Sequence, residues 1–230
     1  VLTMREAVPA IESAFRQLGE GNAAFYPLAE LVSPTAEGGD VYTWGSHIGA
    51  IREPPRLAFR FKSDVTHWRE TEAGRTREKF NVEPGTYMGF ILLFDTADGA
   101  LLGLMNDGVI QHERVGATAG VACDHLARAD ADTVGMIGSG GMAAAYLEAF
   151  DVVRDLSTLR VYSPTRENRE AFAAEARESF GLDAEAVGAP EDAVAGADVV
   201  ATCTNASQPV FDADWLEPGQ FLVNVRNVEV

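Results

Sequence analysis

A glycine-rich turn between a short apolar run and a helical pattern limits the possible folds of this chain more than any other segment. Residues 134–137 are apolar, and residues 138–143 read Gly-Ser-Gly-Gly-Met-Ala. Gly138 permits a tight turn, Gly140 lets the backbone approach a pyrophosphate, and Ala143 lets the next helix pack closely on the strand. A helix beginning there directs its free N–H groups at an anion. The spacing therefore predicts a dinucleotide site that comprises Gly138, Ser139, Gly140, Gly141 and Met142.

The pattern around this turn predicts an α/β chain of two domains. Apolar runs at 134–137, 159–162, near 186–187 and at 198–203 alternate with helical patterns, which is typical of a parallel sheet. Residues 42–105 instead contain short strand-like runs between turns, which indicates a mainly antiparallel sheet. We therefore expect an α+β domain over residues 1–130 and a Rossmann-type parallel-sheet domain over residues 131–230.

Two helical segments are predicted in the first of these domains. The apolar residues Val8, Ile11, Phe15 and Leu18 have helical spacing, and Pro9 favours a regular start near Val8. Residues 111–128 also have a helical pattern but contain many Gly and Ala residues. Because small side chains allow close approach, we expect another element to pack tightly against this helix.

The residues that follow the second parallel strand favour NADP over NAD. An acidic residue there would bind the ribose hydroxyls and repel a 2′-phosphate, whereas this chain has Ser163, Pro164, Thr165 and Arg166. The same residues also fit an N-cap followed by proline in the first helical turn. Cys203 leaves the fourth strand where nicotinamide is expected, and a buried thiol explains it better than a nucleophile. The further cofactor-binding candidates are Ser163, Thr165, Arg166, Cys203, Thr204, Asn205 and Thr118.

Composition excludes several classes of partner. The chain has 18 Lys and Arg against 35 Asp and Glu, a formal net charge of -17, which disfavours nucleic acid and anionic membranes. Its apolar runs are shorter than the ~20 residues that a membrane span requires. Two distant cysteines and no leader-like N-terminus favour a reducing cytoplasm. No Cys/His cluster has metal-ligand spacing, so we expect no metal site.

Several runs of sequence resemble the ornithine cyclodeaminase/mu-crystallin family. The resemblance covers most of the chain from residue 57 onward, and it implies an N-terminal substrate and dimerisation domain joined to a Rossmann domain. It also implies a homodimer and NAD(P)-linked chemistry at the α-carbon of an amino or imino acid. The residues that carry it are 90–99, 104–108, Arg114 with the helix to residue 128, the glycine turn at 138, 202–210 and 215–219.

The resemblance assigns roles to particular side chains. Lys62 and Arg114 match family residues that bind the substrate carboxylate, and the lysine is expected close to the reacting carbon. A family arginine is missing near residues 25–30, and His47 or His67 is a candidate replacement. Asn227 or Glu229 lies near the family's acid, and we take Glu229 with Lys62 and Arg114 as the catalytic candidates.

The expected function is that of an oxidoreductase interconverting a small amino acid and its imino or keto acid. NADP is the expected cofactor, NAD the second choice, and a small carboxylate the substrate. Two alternatives are a cyclodeaminase, an ammonia-lyase that retains NAD, and a crystallin-like protein that binds NADPH without turnover. Since the parallel sheet reaches its fifth strand near residue 230, we also expect the sequence to be incomplete at its C-terminus.

Overall fold

The computed structural model describes residues 2–36, 39–71, 74–82, 88–226 and 228–229. The chain divides into two compact units. The parallel-sheet unit contains Val1–Val8, Thr71–Arg75 and His112–Val230, and the antiparallel-sheet unit contains Pro9–Glu70 and Thr76–Gln111. The domain limits 1–130 and 131–230 stay a prediction.

The antiparallel-sheet unit is built on six strands in the order β1-β2-β3-β5-β6, with β4 paired to β3. The antiparallel character expected from residues 42–105 is confirmed. The sequence did not predict β1 and β4. The strands are β1 (Ala23–Pro34), β2 (Val41–Ile51), β3 (Arg56–Thr71), β4 (Gly74–Phe80), β5 (Gly89–Asp95) and β6 (Leu101–Asn106).

Helix α1 spans Met4–Gly19, so the start expected near Val8 is wrong. Thr3 and Glu6 form a reciprocal cap. The Thr3 backbone N–H and hydroxyl donate to Glu6 Oε2 at 3.0 and 2.8 Å, and the Glu6 N–H donates to the Thr3 carbonyl. The bond from the Thr3 N–H to the Glu6 carboxylate is one half of a capping box, and it stabilises the first turn. Pro9 lies inside the helix, where it removes one backbone donor without ending the helix.

The parallel-sheet unit has a five-stranded sheet in the order β11-β10-β7-β8-β9. Its strand pairs are parallel, which confirms the Rossmann-type α/β fold class. The order reverses at β7, so the carboxyl ends of β7 and β10 border the crevice in which open α/β sheets bind ligands. The elements are β7 (Thr133–Ile137), α3 (Gly141–Val153), β8 (Thr158–Tyr162), α4 (Arg166–Phe180), β9 (Asp183–Ala186), α5 (Pro190–Val194), β10 (Val199–Thr202), a 3-10 turn (Ala213–Trp215) and β11 (Phe221–Asn224).

Apolar cores cover both faces of this parallel sheet. On one face, side chains of α3 and α4 such as Phe150 and Phe172 pack with Val134 and Val199 of the strands. On the other face, α5 packs with residues that include Val200. Since alternate residues of β10 enter opposite cores, the sheet is buried on both sides, as the short apolar runs predicted.

Helix α2 (Gly108–Leu126) packs against α3 through the small residues noted in the sequence. A Cβ added to Gly116 would lie 2.5 Å from the carbonyl oxygen of Ala145. One added to Gly120 would lie 3.0 Å from the Cβ of Ala149. The expected tight packing is confirmed, and its partner is the backbone of α3.

Candidate functional site

The turn after β7 requires glycine at its first position for two reasons. Gly138 has a φ of 112°, which side chains with a Cβ rarely adopt. A Cβ there would also collide with the backbone carbonyl of Cys203 at the end of β10. The Gly138 N–H donates to the Tyr162 carbonyl at 2.8 Å, which ties the turn to the end of β8. The turn is thus fixed by the two strands on either side of it.

The amino end of α3 fits an anionic ligand. Gly140 is the N-cap, with φ -92° and ψ -177°. Because glycine has no side chain, the N-cap residue does not bond to the N–H groups of the first turn. A Cβ added to Gly140 would meet no atom within 4 Å, so the space in front of this backbone is open. Ala143 is fully buried, as close packing of the helix requires. These features match a pyrophosphate cradle, in which backbone N–H groups and the helix dipole hold the phosphates.

His112 lies beside this cradle and was not singled out by the sequence as a cofactor contact. A Cβ added to Gly141, the first residue of α3, would lie 3.3 Å from His112 Nε2. His112 belongs to α2, whose packing on α3 brings its imidazole to the glycine turn. The sequence gives no signal for this contact, because the approach of His112 to Gly141 depends on how α2 packs on α3.

The end of β8 carries hydroxyls and arginines. Ser139 of the glycine turn donates to the Ser163 hydroxyl at 2.9 Å. Arg169 donates to the Ser163 carbonyl at 2.7 Å and lies 5.6 Å from the centre of the Tyr162 ring. Arg166 forms an exposed ion pair with Glu170 at 2.6 Å. This region therefore presents positive charge, although Arg166 is already partnered by a carboxylate.

Glu229 is fully buried and organises the loop after β10. Its carboxylate accepts four hydrogen bonds: from the Thr204 N–H at 2.7 Å, the Thr204 hydroxyl at 2.6 Å, the Thr202 hydroxyl at 3.1 Å and the Arg226 N–H at 2.9 Å. The predicted catalytic role of Glu229 stays a prediction. Asn227, the other residue considered for the acid, lies outside the described residues.

The remaining cofactor candidates differ in exposure. Burial raises the pKa of the Cys203 thiol, and the Glu229 charge raises it further, so this side chain is a thiol near neutral pH. Asn205 and Thr118 are exposed, and the Thr118 hydroxyl donates to the Arg114 carbonyl at 2.8 Å. Arg114 itself is half-buried in α2. The binding roles of these residues stay predictions.

In the antiparallel-sheet unit, Lys62 lies in a polar cluster on one face of the sheet. Its Nζ is 3.6 Å from Asp64 Oδ2 and 3.8 Å from Glu30 Oε1. Gly45, the cross-strand neighbour of Lys62, has no side chain, and a Cβ there would lie 2.8 Å from Lys62 Cε. The glycine therefore leaves the room that the lysine side chain occupies.

His47 and Arg60 continue this face of the sheet. They are cross-strand partners on β2 and β3, and Arg60 Nη1 is 3.2 Å from His47 Nδ1. The buried Arg60 also donates to Asp107 Oδ2 at 2.7 Å and to Gln111 Oε1 at 2.6 Å. The predicted residues Lys62 and His47 thus share one face. The sequence did not identify the fixed cation beside them, although the alternation of Arg60, Lys62 and Asp64 along β3 placed all three on one side.

The described residues were also compared with the requirements of a metal centre and of a membrane-spanning helix, and they meet neither. Within the described ranges, no group of three or more His, Cys, Asp or Glu side chains could hold a metal ion. No helix in the described part of the chain is long and apolar enough to cross a membrane.

The strand order, with a glycine turn at the carboxyl edge of the sheet, defines a Rossmann-type α/β protein. The chain belongs to the ornithine cyclodeaminase/mu-crystallin family, whose model matches residues 1–227. The resemblance noted in the sequence is thereby confirmed.

Two relatives of this chain are named as reductases. The chain is 39% identical over 126 residues to a Delta(1)-pyrroline-2-carboxylate reductase of Bacillus cereus, and 32% identical over 134 residues to the ketimine reductase mu-crystallin of Rattus norvegicus. These matches cover 55% and 58% of this chain, but only 39% and 42% of the two relatives.

Two solved structures have the same fold. A Delta(1)-pyrroline-2-carboxylate reductase of Thermococcus litoralis, in complex with NADH and L-proline, matches 97% of this chain with a TM-score of 0.80 and 25% identity. An archaeal alanine dehydrogenase dimer with bound NAD matches 96% of the chain with a TM-score of 0.78 and 25% identity. This chain spans 65% and 62% of those two proteins.

Proposed function

We propose that this chain provides the cofactor-binding and substrate-binding parts of an NAD(P)-dependent oxidoreductase that interconverts a small amino acid and its imino acid. The observation that carries the proposal is the open, uncapped amino end of α3 behind the Gly138 turn. The names of two relatives, a pyrroline-carboxylate reductase and a ketimine reductase, support an imine as the group that is reduced. The first substrate class to test is therefore a cyclic imino acid.

The proposed roles of the side chains follow from their charges. When bound, the nicotinamide supplies or accepts the hydride. Lys62 binds the substrate carboxylate as an ammonium, and Arg114 offers this carboxylate a planar guanidinium. Glu229 fixes the Thr204 backbone at the end of β10, where the nicotinamide is expected. His47 is a further polar contact for the substrate, oriented by Arg60.

NADP is the proposed cofactor, with NAD as the rival. The hydroxyls of Ser163 and Thr165 and the guanidinium of Arg166 are the proposed contacts of the ribose phosphate. Arg169, bonded to the Ser163 carbonyl, adds positive charge there. The pyrroline-carboxylate reductase and alanine dehydrogenase structures contain NADH and NAD, so NADH is the cofactor to compare with NADPH in binding assays.

We also propose that the chain forms a homodimer through its antiparallel sheet. Large apolar side chains are exposed on β1 and β6, the strands at the two ends of the sheet order, and exposed apolar edge strands are surfaces on which a second chain can pair. They include Phe25, Leu28, Leu31, Leu101 and Leu104. Sedimentation of Leu31→Glu and Leu104→Glu variants tests this, because a dimer built on these strands becomes a monomer.

The enzymatic proposal is tested by incubating the protein with NADPH and cyclic imino acids such as Δ1-pyrroline-2-carboxylate. We expect NADPH absorbance to fall as the amino acid forms. Lys62→Met should lower turnover by about 10- to 150-fold, the equivalent of one charge-assisted hydrogen bond of about 1.5–3 kcal/mol. Its affinity for NADPH should stay unchanged. Weakened NADPH binding in that variant contradicts the role given to Lys62.

The same assays separate the two rival functions. A cyclodeaminase releases ammonia from an amino acid such as ornithine and leaves the total NAD(H) absorbance unchanged. A non-catalytic binding protein quenches its tryptophan fluorescence with NADPH, yet oxidises none of it in the presence of imino acids. Either result refutes the reductase proposal.

A further inference from the structure

The imidazole of His47 is bonded to a side chain that can only donate hydrogen bonds. His47 on β2 and Arg60 on β3 are cross-strand partners, and Arg60 Nη1 lies 3.2 Å from His47 Nδ1. Because a guanidinium has N–H donors and no acceptor, His47 Nδ1 accepts in this bond. The single proton of a neutral imidazole is then on Nε2. The contact therefore selects the tautomer in which the Nε2–H of His47 is a donor.

Arg60 is held in place by two further partners. Its Nε donates to Asp107 Oδ2 at 2.7 Å, and its Nη2 donates to Gln111 Oε1 at 2.6 Å. The Arg60 and Asp107 side chains are 10% and 2% exposed, and Asp107 Oδ1 has no hydrogen-bond partner among the described residues. Loss of the guanidinium would leave a buried carboxylate unpaired, which is costly. Arg60 is thus fixed in the position from which it donates to His47.

A second histidine of the same sheet has the opposite arrangement. His67 Nδ1 lies 2.6 Å from Asp40 Oδ1. An ionised carboxylate only accepts hydrogen bonds, so Nδ1 of His67 carries a proton. The partner of each ring therefore sets its tautomer, and His67 is an internal reference for His47.

The donors of Lys62 and His47 lie over neighbouring positions of β2. Gly45 and His47 alternate along this strand, so they are on one face and about 7 Å apart. Lys62 is paired with Gly45, and a Cβ at Gly45 would lie 2.8 Å from Lys62 Cε. The end of the lysine side chain therefore lies beside His47, whose side chain is exposed. Two donors at this spacing can each bind one oxygen of the same carboxylate through bonds of about 2.8 Å.

We propose that His47 binds the substrate carboxylate as a neutral Nε2–H donor, and that Arg60 is the positioning residue that fixes this tautomer. This inference rests on the proposed reductase function. Lys62 supplies the positive charge, and His47 supplies a second donor that orients the carboxylate without a second charge. Arg60 acts through His47, since its own charge is paired with Asp107.

The tautomer can be observed without substrate or turnover. In protein labelled with ¹⁵N-histidine, two-bond ¹⁵N–¹H correlations show which ring nitrogen carries the proton. The chain has four histidines, and the spectrum of His47→Gln identifies the signals of His47. At about pH 8, above the ordinary histidine pKa of about 6.5, we expect Nε2–H for His47 and Nδ1–H for His67. A His47 proton on Nδ1, on both nitrogens or averaged between them overturns the proposal.

Arg60→Lys tests the positioning role. Lysine keeps a cation beside Asp107, but its single nitrogen cannot reproduce the three separately directed bonds of the guanidinium. The His47 proton should then exchange between the two ring nitrogens, and KM for the imino acid should rise by at least about threefold. If Arg60→Lys does not fold, Gln111→Leu, which releases one side of the guanidinium, replaces it. A fixed Nε2–H tautomer in the folded variant refutes the role of Arg60.

Two substitutions of His47 separate its ring nitrogens. The amide nitrogen of glutamine reaches the position of Nε2, whereas that of asparagine reaches only the position of Nδ1. We expect KM for a cyclic imino acid to stay within about threefold in His47→Gln and to rise by at least about tenfold in His47→Asn, with kcat and NADPH affinity little changed. His125→Gln, at an exposed histidine of α2, is the matched control and should leave KM unchanged. Equal losses in His47→Gln and His47→Asn refute the donor role.

The outcomes separate this inference from the proposed function. If imino acids are reduced and both His47 variants keep the wild-type KM, the inference fails and the reductase stands. If no imino acid is reduced, the proposed function fails, and the carboxylate contact of His47 fails with it. The NMR spectra then still decide the tautomer and the role of Arg60.

Discussion

Replacing Gly140 by alanine should separate cofactor binding from folding. The backbone of Gly140 has φ -92° and ψ -177°, an extended conformation that any residue adopts, and an added Cβ meets no atom within 4 Å. Folding of the cofactor-free protein should therefore be unharmed. Since alanine restricts the unfolded chain, stability should rise by about 0.4–1 kcal/mol.

Cofactor affinity should change in the opposite direction. The new methyl group occupies space through which the backbone approaches the pyrophosphate. Moving a phosphate away from one amide donor removes a charge-assisted hydrogen bond of about 1.5–3 kcal/mol. We therefore expect Kd for NADPH and for NADH to rise about 10- to 150-fold.

Tryptophan quenching by each cofactor measures Kd, and urea unfolding measures stability. Gly188→Ala is the control, because Gly188 also has open space at its Cβ position and lies between β9 and α5. It should leave Kd unchanged. Gly138→Ala should lose stability as well as affinity, since its φ is positive and its Cβ meets the Cys203 carbonyl. Wild-type affinity in Gly140→Ala refutes the placement of the pyrophosphate.

Three further predictions concern buried and charged groups. Glu229→Gln replaces one of the two carboxylate oxygens by an NH2 group, which cannot accept hydrogen bonds from the donors that face it. With one or two buried donors left unpaired, the free energy of unfolding measured by urea denaturation should fall by about 2–4 kcal/mol. Arg166→Ala should weaken NADPH binding by up to about tenfold and leave NADH unaffected, as measured by fluorescence titration. Burial raises the pKa of the Cys123 thiol to about 11, so between pH 9 and 11 the unfolded chain loses its thiol proton first and stability falls as pH rises, by at most about 1.4 kcal/mol per pH unit. Cys123→Ala should reduce this slope in urea titrations at each pH.

The parallel half of the fold could be predicted because its signals are local. Strands β7 and β10 are short apolar runs that are buried almost throughout, and the turn at Gly138 depends on residues that are adjacent in sequence. Strand β1 was missed because it contains Pro27 and Pro34 and is exposed along most of its length, so the usual alternation is absent. The start of α1 was misplaced because Pro9 was taken to mark the first turn, whereas the hydrogen bonds between Thr3 and Glu6 begin the helix at Met4.

The polar clusters could be predicted only in part, because they depend on residues distant in sequence. Lys62 was identified by its family position, whereas Arg60 and Asp64 were not singled out, although they alternate with it along β3. Lys79 lies on β4, which pairs with β3, and β4 itself was not predicted. Likewise, the contacts of Glu229 require the end of the described chain to return to β10.

The distribution of the two basic residue types supports different roles for them. Several arginines of this acidic chain form ion pairs, such as Arg128 with Asp198 and Arg154 with Asp124. A guanidinium cannot lose its proton in a protein, so these positions hold a charge and cannot transfer one. Both lysines, the cations whose proton can be released, lie on paired strands of the antiparallel sheet, Lys62 on β3 and Lys79 on β4.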